Sequence, residues 1–411
     1  MPTPIPPIKF DDTQIAFAHR TDQELKQSYF LFHLMSWSAL VQIGTRITPW
    51  MVEKGFPILS LLRKTIFSQF VGGESLSESR NVSDSLNGFG VKVILDYGVE
   101  GMEGEENFDQ AKNEFIRVIE HAATCPNIPF ISIKVTGMAR FAMLEKLHAG
   151  MQQSPGTLLE KYSASLAALS AEETAEWSRV VARMRSIAET GATKKIGILI
   201  DAEESWIQDP IDALAVELMS AYNREGVVVF NTYQLYRHDR LSFLMDNYKW
   251  SLEGDYYLGA KLVRGAYMEK ERARAKKFGY LSPIQPDKFS SDKDYDAALA
   301  FCVEHLDRIF VMVASHNESS SLYAVKLLGE LNHPIDHPHI HWSQLYGMSD
   351  NITFNLAKAG CSVSKYLPFG PIRDVIPYLM RRAQENTSVR GQTGRELKLL
   401  QMEKSRRRGR S

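Results

Sequence analysis

Two adjacent arginines, Arg381 and Arg382, lie in the segment YLPFGPIRDVIPYLMRRAQEN, residues 366–386. Apolar residues recur there at helical spacing, which predicts a helix with one apolar face. A Gly-Pro turn precedes this helix and places Pro371 in its first turn. Tyr378 lies three and four residues before the arginines and therefore shares a neighbouring face. Paired guanidinium groups beside an apolar stripe can bind a carboxylate or phosphate through bidentate hydrogen bonds. A solvated pair on an exposed helix is the alternative.

The elements that position this helix are eight short apolar or β-branched runs, which alternate with amphipathic stretches. This rhythm predicts a (βα)8 barrel. A doubly wound sheet is the alternative, which the lack of a GxGxxG motif after the first run disfavours. The runs are VKVILDY (91–97), FISIKVT (130–136), IGILIDA (196–202), VVVFNTY (227–233), YLGAKLV (257–263), IFVMVAS (309–315), HIHWSQL (339–345) and SVSKYLP (362–368).

Polar side chains collect where these predicted strands end, which is where a barrel of this kind carries its active site. They include Asp96, Glu100, Lys134, Asp201, Glu203, Glu204, Asn231, Tyr233, Gln234, Lys261, Arg264, Tyr267, Ser315, His316, Asn317, Gln344, Tyr346 and Tyr366. Because buried charges need partners, such a ring predicts a mouth that holds a ligand. Lys134 and Asp201 have the alternative of pairing with each other or with Glu203. His316 has the alternative of a structural role. Gly265 is either a turn glycine or a point where the backbone approaches a phosphate or a flavin.

The chain outside the barrel divides into an N-terminal arm and a C-terminal tail. After a Pro-rich start, a capping box at Thr21 predicts a helix to about Val41, and further helical segments fit residues 49–70. An insertion at residues 141–169 predicts an extra helix. The predicted domains are therefore a helical arm (1–75), a catalytic barrel (76–390) and a basic tail (391–411), which is expected to be disordered at its tip.

Composition excludes several functional classes. The net charge of −1 gives no indication of nucleic-acid binding, and three cysteines without a CxxC pattern argue against a disulfide framework or a cysteine metal site. Four histidines in HPIDHPHIH (333–341) precede or begin the seventh strand, opposite the mouth, so a loop without function is favoured over a metal site. The N-terminus shows no secretory signal or transit peptide. We therefore expect a cytoplasmic protein, with peripheral contact at the inner face of a membrane left open.

Four stretches closely resemble the proline dehydrogenase family, namely AKLVRGAYMEKERARA (260–275), IDAEES (200–205), ASHN (314–317) and the arginine-bearing segment 366–386. The resemblance spans most of residues 90–390 and is closer to monofunctional, eukaryotic-like members than to the bifunctional bacterial proline utilisation enzymes. It implies a distorted (βα)8 barrel with FAD bound non-covalently over the strand ends and the last helix across the mouth. The implied reaction is oxidation of L-proline to Δ1-pyrroline-5-carboxylate by hydride transfer from C5 to flavin N5, with reoxidation by a membrane quinone.

The same resemblance implies roles for individual residues. Arg381 and Arg382 clamp the proline carboxylate with Lys134 as a third cation, and these three with Asp201 form the implied catalytic set. Glu100 matches an acid that pairs with the helix arginine when the site is empty. Three residues wall the pyrrolidine ring, and the second of them matches the position that rejects a 4-hydroxyl group: Leu345, Tyr366 and Tyr378.

Flavin contacts are implied at Asp201, Ala202, Asn231 or Gln234, Lys261, Arg264, Gly265, Ala266, Tyr267, Ser315, His316 and Asn317. Two positions depart from many bacterial members, which have Arg at the position of Lys261 and Gln at that of Asn231. The choice between Asn231 and Gln234 therefore stays open. Arg264 is implied to sit near the N1–C2=O edge of the flavin, where a cation stabilises the anionic reduced ring.

Two other functions and several partners remain open at this stage. A hydroxyproline dehydrogenase of the same fold and a non-catalytic binding barrel are the alternatives. A pyrroline-5-carboxylate dehydrogenase is a candidate partner. The basic tail (Arg406–Arg408 and Arg410) and the apolar arm near residues 29–43 are candidate contacts with an anionic membrane, although a disordered solubilising tail is equally compatible with the sequence.

Overall fold

The chain is described by a computed structural model that covers residues 7–54, 56–98, 103–388 and 392–409. Eight strands follow one another in order round a closed barrel, which confirms the predicted (βα)8 architecture. Pairing is parallel between β1 and β8 and through the series from β2 to β6. The strands are β1 (Val91–Tyr97), β2 (Phe130–Ile133), β3 (Gly197–Ile200), β4 (Val229–Gln234), β5 (Leu258–Val263), β6 (Ile309–Ala314), β7 (Ile340–Leu345) and β8 (Val363–Phe369).

Several helices begin at side chains that accept hydrogen bonds from the first free N–H groups. Capping boxes start three of them, at Thr21, Thr157 and Ser170. The helices are α1 (Thr13–Ala16), α2 (Asp22–Met35), α3 (Ser38–Glu53), α4 (Leu59–Leu62), α5 (Ser68–Phe70), α6 (Leu76–Asn87), α7 (Glu105–Ala123), α8 (Phe141–Gln153), α9 (Leu158–Ala167), α10 (Ala171–Lys194), α11 (Ser205–Tyr222), α12 (Arg240–Glu253), α13 (Met268–Phe278), α14 (Lys288–Glu304), α15 (Glu318–Glu330), α16 (Asp350–Lys358), α17 (Ile376–Ser388) and α18 (Gln392–Arg408). A π-turn (Arg63–Phe67) joins α4 to α5, and a 3-10 turn (Val135–Gly137) follows β2.

By its internal contacts the chain divides into two compact units, of which the first is built from Gly101–Trp342. Its strands pack an aromatic layer at their amino-terminal ends. Phe230 lies edge-to-face with Phe130 at 5.8 Å and with Phe310 at 5.1 Å between ring centroids. Such contacts add to the burial of the rings. Small residues in the neighbouring strands leave room for this layer, and a Cβ atom at Gly259 would lie 2.3 Å from the carbonyl oxygen of Val229.

Replacing Gly259 with alanine is expected to lower the free energy of unfolding by about 1–3 kcal/mol, because the added methyl meets rigid backbone in the strand next to it. The measurement is urea-induced unfolding followed by circular dichroism. Gly226→Ala is the matched control, since a Cβ atom there meets nothing within 4 Å. It should change the free energy by no more than about 0.5 kcal/mol. Equal effects of the two substitutions would contradict the steric argument.

The second unit joins Ile5–Glu100 to Ser343–Ser411. Strand β1 pairs with β8 over seven residues. The arm helices and the last three helices share one apolar core, in which Phe32, Phe70, Leu379 and Leu399 are almost fully buried. The predicted apolar face of helix α17 packs into this core. A Cβ atom at Gly98, just after β1, would lie 3.0 Å from Val375 Cγ1, so the turn before α17 lies beside the carboxyl end of β1.

A buried ionic cluster ties this unit together around Asp350, which is 3% exposed. Its carboxylate lies 2.7 Å from Arg20 Nη2, 2.9 Å from Lys365 Nζ and 3.5 Å from His19 Nε2. Burial alone would raise the pKa of Asp350, but Lys365 and Arg20 hold it well below its usual range. Burial lowers the pKa of Lys365, against the effect of Asp350. The cluster connects the arm, α16 and β8.

The predicted helix boundaries need three corrections. Helix α2 ends at Met35 and a separate helix, α3, begins at Ser38, so the first arm helix does not continue to Val41. The insertion at residues 141–169 carries two helices, α8 and α9. Helix α17 begins at Ile376, because the N–H groups of Asp374 and Val375 both donate to the carbonyl of Pro371 in a tight turn. Pro371 therefore precedes the helix.

The C-terminal segment is more structured than a basic tail. Residues Gln392–Arg408 form α18, which packs against α2 with Leu399 and Leu400 buried. Both Arg406 and Arg407 bind the buried carboxylate of Glu403, and Arg407 also binds Asp22. These two arginines are therefore occupied within the fold. The domain boundaries near residues 75 and 390, and the placement of α17 over the barrel mouth, stay predictions.

Candidate active site

An ion pair links the residue after β3 to a residue within β5, the strands on either side of β4 in the first unit. Asp201 follows β3, and Lys261 lies in β5 with 5% of its surface exposed. Lys261 Nζ lies 2.5 Å from Asp201 Oδ1. Asp201 N also donates to the carbonyl of Ile133 at 2.8 Å. Lys261 therefore fixes the Asp201 carboxylate.

Glu203 is a buried acid beside this pair. Its carboxylate accepts hydrogen bonds from Thr136, at 3.1 Å from the backbone N–H and 2.5 Å from the hydroxyl. Burial raises the pKa of Glu203 to about 7, although Thr136 and Lys134 lower it in part. Lys134 itself directly follows β2 and begins the 3-10 turn. A carboxyl group that changes its charge near neutral pH is thus part of this strand end.

Replacing Glu203 with glutamine is expected to flatten the dependence of stability on pH. The pKa of Glu203 is about 7 in the folded state and 4.5 in the unfolded state. The protonated side chain therefore stabilises the fold in full at pH values below 4.5. This stabilisation, about 3 kcal/mol, is lost as the pH rises through about 7. The free energy of unfolding, measured in urea at about pH 5 and about pH 8, should differ less in the variant.

Glu304→Gln is the matched control for this experiment, because Glu304 is exposed at the end of α14. It should leave the pH dependence unchanged. Burial also raises the pKa of Glu396 to about 7, so part of the slope persists in the Glu203 variant. An undiminished slope in that variant would show that Glu203 does not titrate in this range.

The structure separates the two candidate amides of β4. Asn231 is fully buried and donates to Asp212 Oδ1 at 2.9 Å, and Asp212 lies on α11. The side-chain oxygen of Asn231 accepts from the backbone N–H of Thr232 at 2.9 Å. Gln234 donates to the carbonyl of Glu203 at 2.8 Å. Its Oε1 atom is buried and has no hydrogen-bond partner within the described ranges. Gln234 is therefore the better candidate to accept an N–H group from a cofactor.

Arg264, directly after β5, is held from several sides. Its guanidinium donates to Ser315 Oγ at 2.9 Å and to Ser320 Oγ at 2.6 Å. Arg264 Nε lies 2.9 Å from Asp292 Oδ1. The guanidinium carbon lies 3.6 Å from the ring centroid of Tyr295, a cation–π contact. The orientation of Arg264 is thus fixed, and Asp292 offsets part of its charge.

Two backbone turns complete this part of the site. Gly265 has a φ of +37°, in the region that favours glycine. Gly265 and Ala266 are exposed, whereas Ala202 is buried beside Asp201. Tyr267 precedes α13 as its N-cap residue.

After β6, Asn317 caps α15, accepting from the N–H groups of Ser319 at 2.9 Å and Ser320 at 3.3 Å. The Asn317 side-chain oxygen therefore has a structural role. His316, the residue before it, is half-buried at the start of this turn.

Apart from Lys134, the residues predicted to bind the substrate belong to the second unit. Arg381 and Arg382 are half-buried on α17, and the Arg382 guanidinium lies 5.5 Å from the ring centroid of Tyr378. Tyr378 is 6% exposed and joins the apolar core, against which Leu345 packs at the end of β7. Tyr366 lies within β8 opposite Ile94 and is 9% exposed. Strand β8 continues three residues beyond it, to Phe369. Glu100 lies outside the described residues.

Three observations in the first unit fit a flavin. The unpartnered Gln234 Oε1 suits an N–H donor such as that of an isoalloxazine ring. The backbone at Gly265 allows a planar group to approach closely. Arg264 supplies an oriented cation beside these groups, which suits an electron-accepting ring. Gln234, Gly265 and Arg264 are therefore compatible with a flavin, whereas the side-chain oxygens of Asn231 and Asn317 are used within the fold.

Sequence reasoning missed the residues that hold these groups. Thr136 and Gln208 fix Glu203 through hydrogen bonds. The two successive glutamates after β3 were the sequence feature that could have indicated such partners. Asp292 and Tyr295 orient Arg264 from α14. Nothing in the sequence connects that helix to β5, because their contact depends on the barrel geometry.

Two histidines of the segment at residues 333–341 contact residues of the surrounding fold. His339 Nδ1 lies 2.6 Å from the carbonyl of Leu306. The ring of His341 lies 5.1 Å from that of Phe130, in the aromatic layer. Among the described residues, no group of three or more His, Cys, Asp or Glu side chains is arranged to hold a metal ion. Over the same ranges, every helix is too short or too polar to cross a bilayer.

Comparison with known sequences and structures gives consistent matches. The family described as proline dehydrogenase matches residues 80–395. Proline dehydrogenase 1, mitochondrial, of Dictyostelium discoideum is 31% identical over 426 residues, which cover 96% of this chain and 74% of the relative. Hydroxyproline dehydrogenase of Mus musculus is 31% identical over 433 residues, which cover 98% of this chain and 94% of the relative.

A solved structure shares the barrel. Proline utilization A (PutA) from Bdellovibrio bacteriovorus, inactivated by N-propargylglycine, superposes with a TM-score of 0.69 at 17% sequence identity. The match covers 92% of this chain and 38% of that chain, so the present chain spans less than two fifths of that structure. At this identity the likeness shows the fold alone.

Proposed function

This chain belongs to the proline dehydrogenase family, and from that premise we propose that it oxidises L-proline to Δ1-pyrroline-5-carboxylate with a non-covalently bound FAD. The observation that carries the proposal is the extent of the family match. Residues 80–395 contain every strand end and the arginine pair of α17. A binding protein without catalysis would have no need of the fixed ion pair and the oriented arginine at these ends.

The reaction removes a hydride from C5 and a proton from the ring nitrogen, which leaves the C=N bond of the product. When bound, FAD supplies the acceptor for that hydride and its electron pair. Gln234 accepts an N–H group, and Arg264 presents a cation whose direction Ser315 and Asp292 fix. The other residues proposed to hold the cofactor are Asp201, Ala202, Lys261, Gly265, Ala266, Tyr267, Ser315, His316 and Asn317.

We assign the carboxylate of proline to Arg381 and Arg382, with Lys134 as a third cation. Two guanidinium groups give planar, bidentate hydrogen bonds that a single ammonium group cannot reproduce. Tyr378 supports this assignment, because its buried ring lies beside Arg382 and limits where the guanidinium can point. Leu345, Tyr366 and Tyr378 are proposed to contact the pyrrolidine ring, and Glu100 to pair with a helix arginine in the empty site.

Anaerobic titration of the purified holoprotein with L-proline tests this function. The flavin absorbance should bleach in proportion to the added proline, while D-proline serves as the matched control and should leave it unchanged. A protein that takes up no FAD, or whose flavin stays oxidised in excess L-proline, would refute the proposal.

Hydroxyproline is the second candidate substrate, because a relative named hydroxyproline dehydrogenase aligns over 94% of its length. Tyr366 is the residue proposed to exclude a 4-hydroxyl group. The kcat/KM values for L-proline and trans-4-hydroxy-L-proline decide between them. A preference of about tenfold, or about 1.4 kcal/mol, for the hydroxylated substrate would select the second function.

The electron acceptor and partners complete the proposal. We propose that a membrane quinone reoxidises the flavin and that a pyrroline-5-carboxylate dehydrogenase takes up the product. The proposed location is the cytoplasmic side of a membrane, with peripheral contact. Reduction of a soluble ubiquinone analogue, coupled to proline oxidation, is the measurement that tests the acceptor.

A further inference from the structure

The N-terminal arm carries a row of exposed large apolar side chains, which we call the apolar stripe. Its members follow one another at intervals of three or four residues along α2 and α3, so each helix presents them on one face. Their exposed fractions run from 39% to 60%, whereas isolated exposed apolar residues are the norm on a protein surface. The members are Phe30, Leu34, Trp37, Leu40, Ile43, Ile47 and Trp50.

Exposed residues beyond α3 extend this surface. Phe56 is 45% exposed and its ring lies 5.6 Å from that of Trp50. Leu61, in α4, is 63% exposed. Helix α3 itself buries little of its length, since Val41 and Val52 are the large apolar residues that it turns inward. Most of its apolar surface is therefore left without a protein neighbour among the described residues.

The charge of this region is opposite in sign to that of the chain. Residues 25–73 contain five basic side chains and a single acidic one, Glu53, whereas the whole chain has a net charge of −1. The basic residues are Lys26, Arg46, Lys54, Arg63 and Lys64. Arg46, Lys54 and Lys64 are exposed, and Arg63 pairs with Glu74. Apolar side chains, tryptophans and exposed cations thus share one segment.

We propose that the apolar stripe docks this protein on the surface of an anionic lipid bilayer, with α3 lying in the interface. Apolar side chains enter the boundary between head groups and acyl chains, tryptophan rings favour that depth, and Lys and Arg bind anionic head groups. A second copy of the chain is a poorer occupant. Pairing two identical faces would bring two positively charged surfaces together.

The inner side of α3 contacts the helix that carries the arginine pair. Val41 is buried in the same core as Tyr378 and Leu379 of α17, and the two helices pack against each other. Docking on lipid would therefore hold the substrate-binding helix next to a membrane surface. This part of the inference rests on the proposed function, since it concerns where a membrane quinone meets the enzyme. Lipid binding itself does not depend on it.

Vesicle flotation of the full-chain holoprotein tests the inference. Vesicles of phosphatidylcholine mixed with phosphatidylglycerol should carry the protein upward, and vesicles of phosphatidylcholine alone should carry much less. The double variant Trp37→Glu/Trp50→Glu should lower the bound fraction by about tenfold or more, because it removes the two largest apolar groups and adds two acidic ones. High salt should weaken binding of the unmodified protein.

The matched control is Leu281→Glu/Phe289→Glu, which changes two residues that are 93% and 77% exposed elsewhere on the chain. It should float as the unmodified protein does. Circular dichroism and flavin content should be the same in all three proteins, which separates loss of docking from loss of folding. Oxidation of L-proline with a soluble dye tests the proposed function separately and should be equal in the three.

Three results of the flotation experiment would overturn the proposal. They are equal flotation with and without phosphatidylglycerol, equal loss in the control variant, and absence of vesicle binding by the unmodified protein. If the Trp37/Trp50 variant instead changed only the mass measured by light scattering, the stripe would be an interface between two copies, and the lipid proposal would fall.

Discussion

Replacing Arg381 with methionine should lower kcat/KM for L-proline by about 30-fold to several thousand-fold, mainly through a higher KM. The reason is that truncating one partner of a charge pair held by hydrogen bonds costs about 2–5 kcal/mol, at about 1.4 kcal/mol per tenfold. Flavin content should not change, since the residues proposed to hold the cofactor belong to strands β3 to β6 and the turns after them. Steady-state kinetics and the flavin spectrum of the variant measure both quantities.

Arg373→Met is the matched control for this substitution. Arg373 is an exposed arginine eight residues earlier in the same segment, so its loss should change kcat/KM by less than about twofold. L-Prolinamide adds a second control, because it lacks the carboxylate. The preference for L-proline over L-prolinamide should shrink in the Arg381 variant, while Arg382 and Lys134 remain as the other proposed carboxylate partners. If both substrates lose activity equally, Arg381 supports the fold and does not bind the carboxylate.

Replacing Asp350 with asparagine should lower the free energy of unfolding by about 3–5 kcal/mol, because Arg20 and Lys365 would keep their charges without their shared counter-ion. Lys365 is 1% exposed and cannot be hydrated in place. The pKa of Asp350 lies well below the unfolded value of 3.8, so its stabilisation is present at neutral pH and lost at lower pH. Chemical unfolding at neutral pH gives the magnitude.

Asp246→Asn provides the comparison. Asp246 pairs with Lys249 at 3.2 Å, and both side chains are about half exposed or more. An exposed pair contributes little, so the expected change is below about 1 kcal/mol. Hydrogen exchange adds a local readout, because loss of Asp350 should reduce protection in α2, α16 and β8 before the strands of the first unit. Equal destabilisation by the two substitutions would contradict the argument from burial.

Much of the barrel was predictable because its strands are buried on both faces. Such strands appear as continuous apolar runs, and the run at residues 91–97 coincides with β1. The run at residues 130–136 was too long by three residues, because Lys134 begins a 3-10 turn. A β-branched sequence does not reveal where a turn of this kind ends the strand pairing.

The positions of site residues were predictable where a strand end fixed them, and less so where side-chain direction mattered. Asp201 and Arg264 directly follow β3 and β5, as expected, and Lys261 lies within β5. Asn231 and Gln234 belong to the same strand, yet one faces α11 and the other leaves its oxygen unpartnered. Side chains three residues apart point to opposite faces of a strand. The sequence alone left the position of strand β4 uncertain by one residue. It therefore did not show which of the two amide side chains faces α11.

The order in which this chain is synthesised has a consequence for its second unit. Arg20 binds Asp350 across 330 positions, and Arg407 donates to the carbonyl of Phe17 across 390. At ribosomal rates of about 5–20 residues per second, the arm emerges about 15–80 s before the strands and helices that bury it. The described part of the first unit is contiguous in sequence, from residue 103 to residue 342, and has no such delay. The arm therefore spends much of translation without the C-terminal elements that cover its apolar side chains in the folded chain.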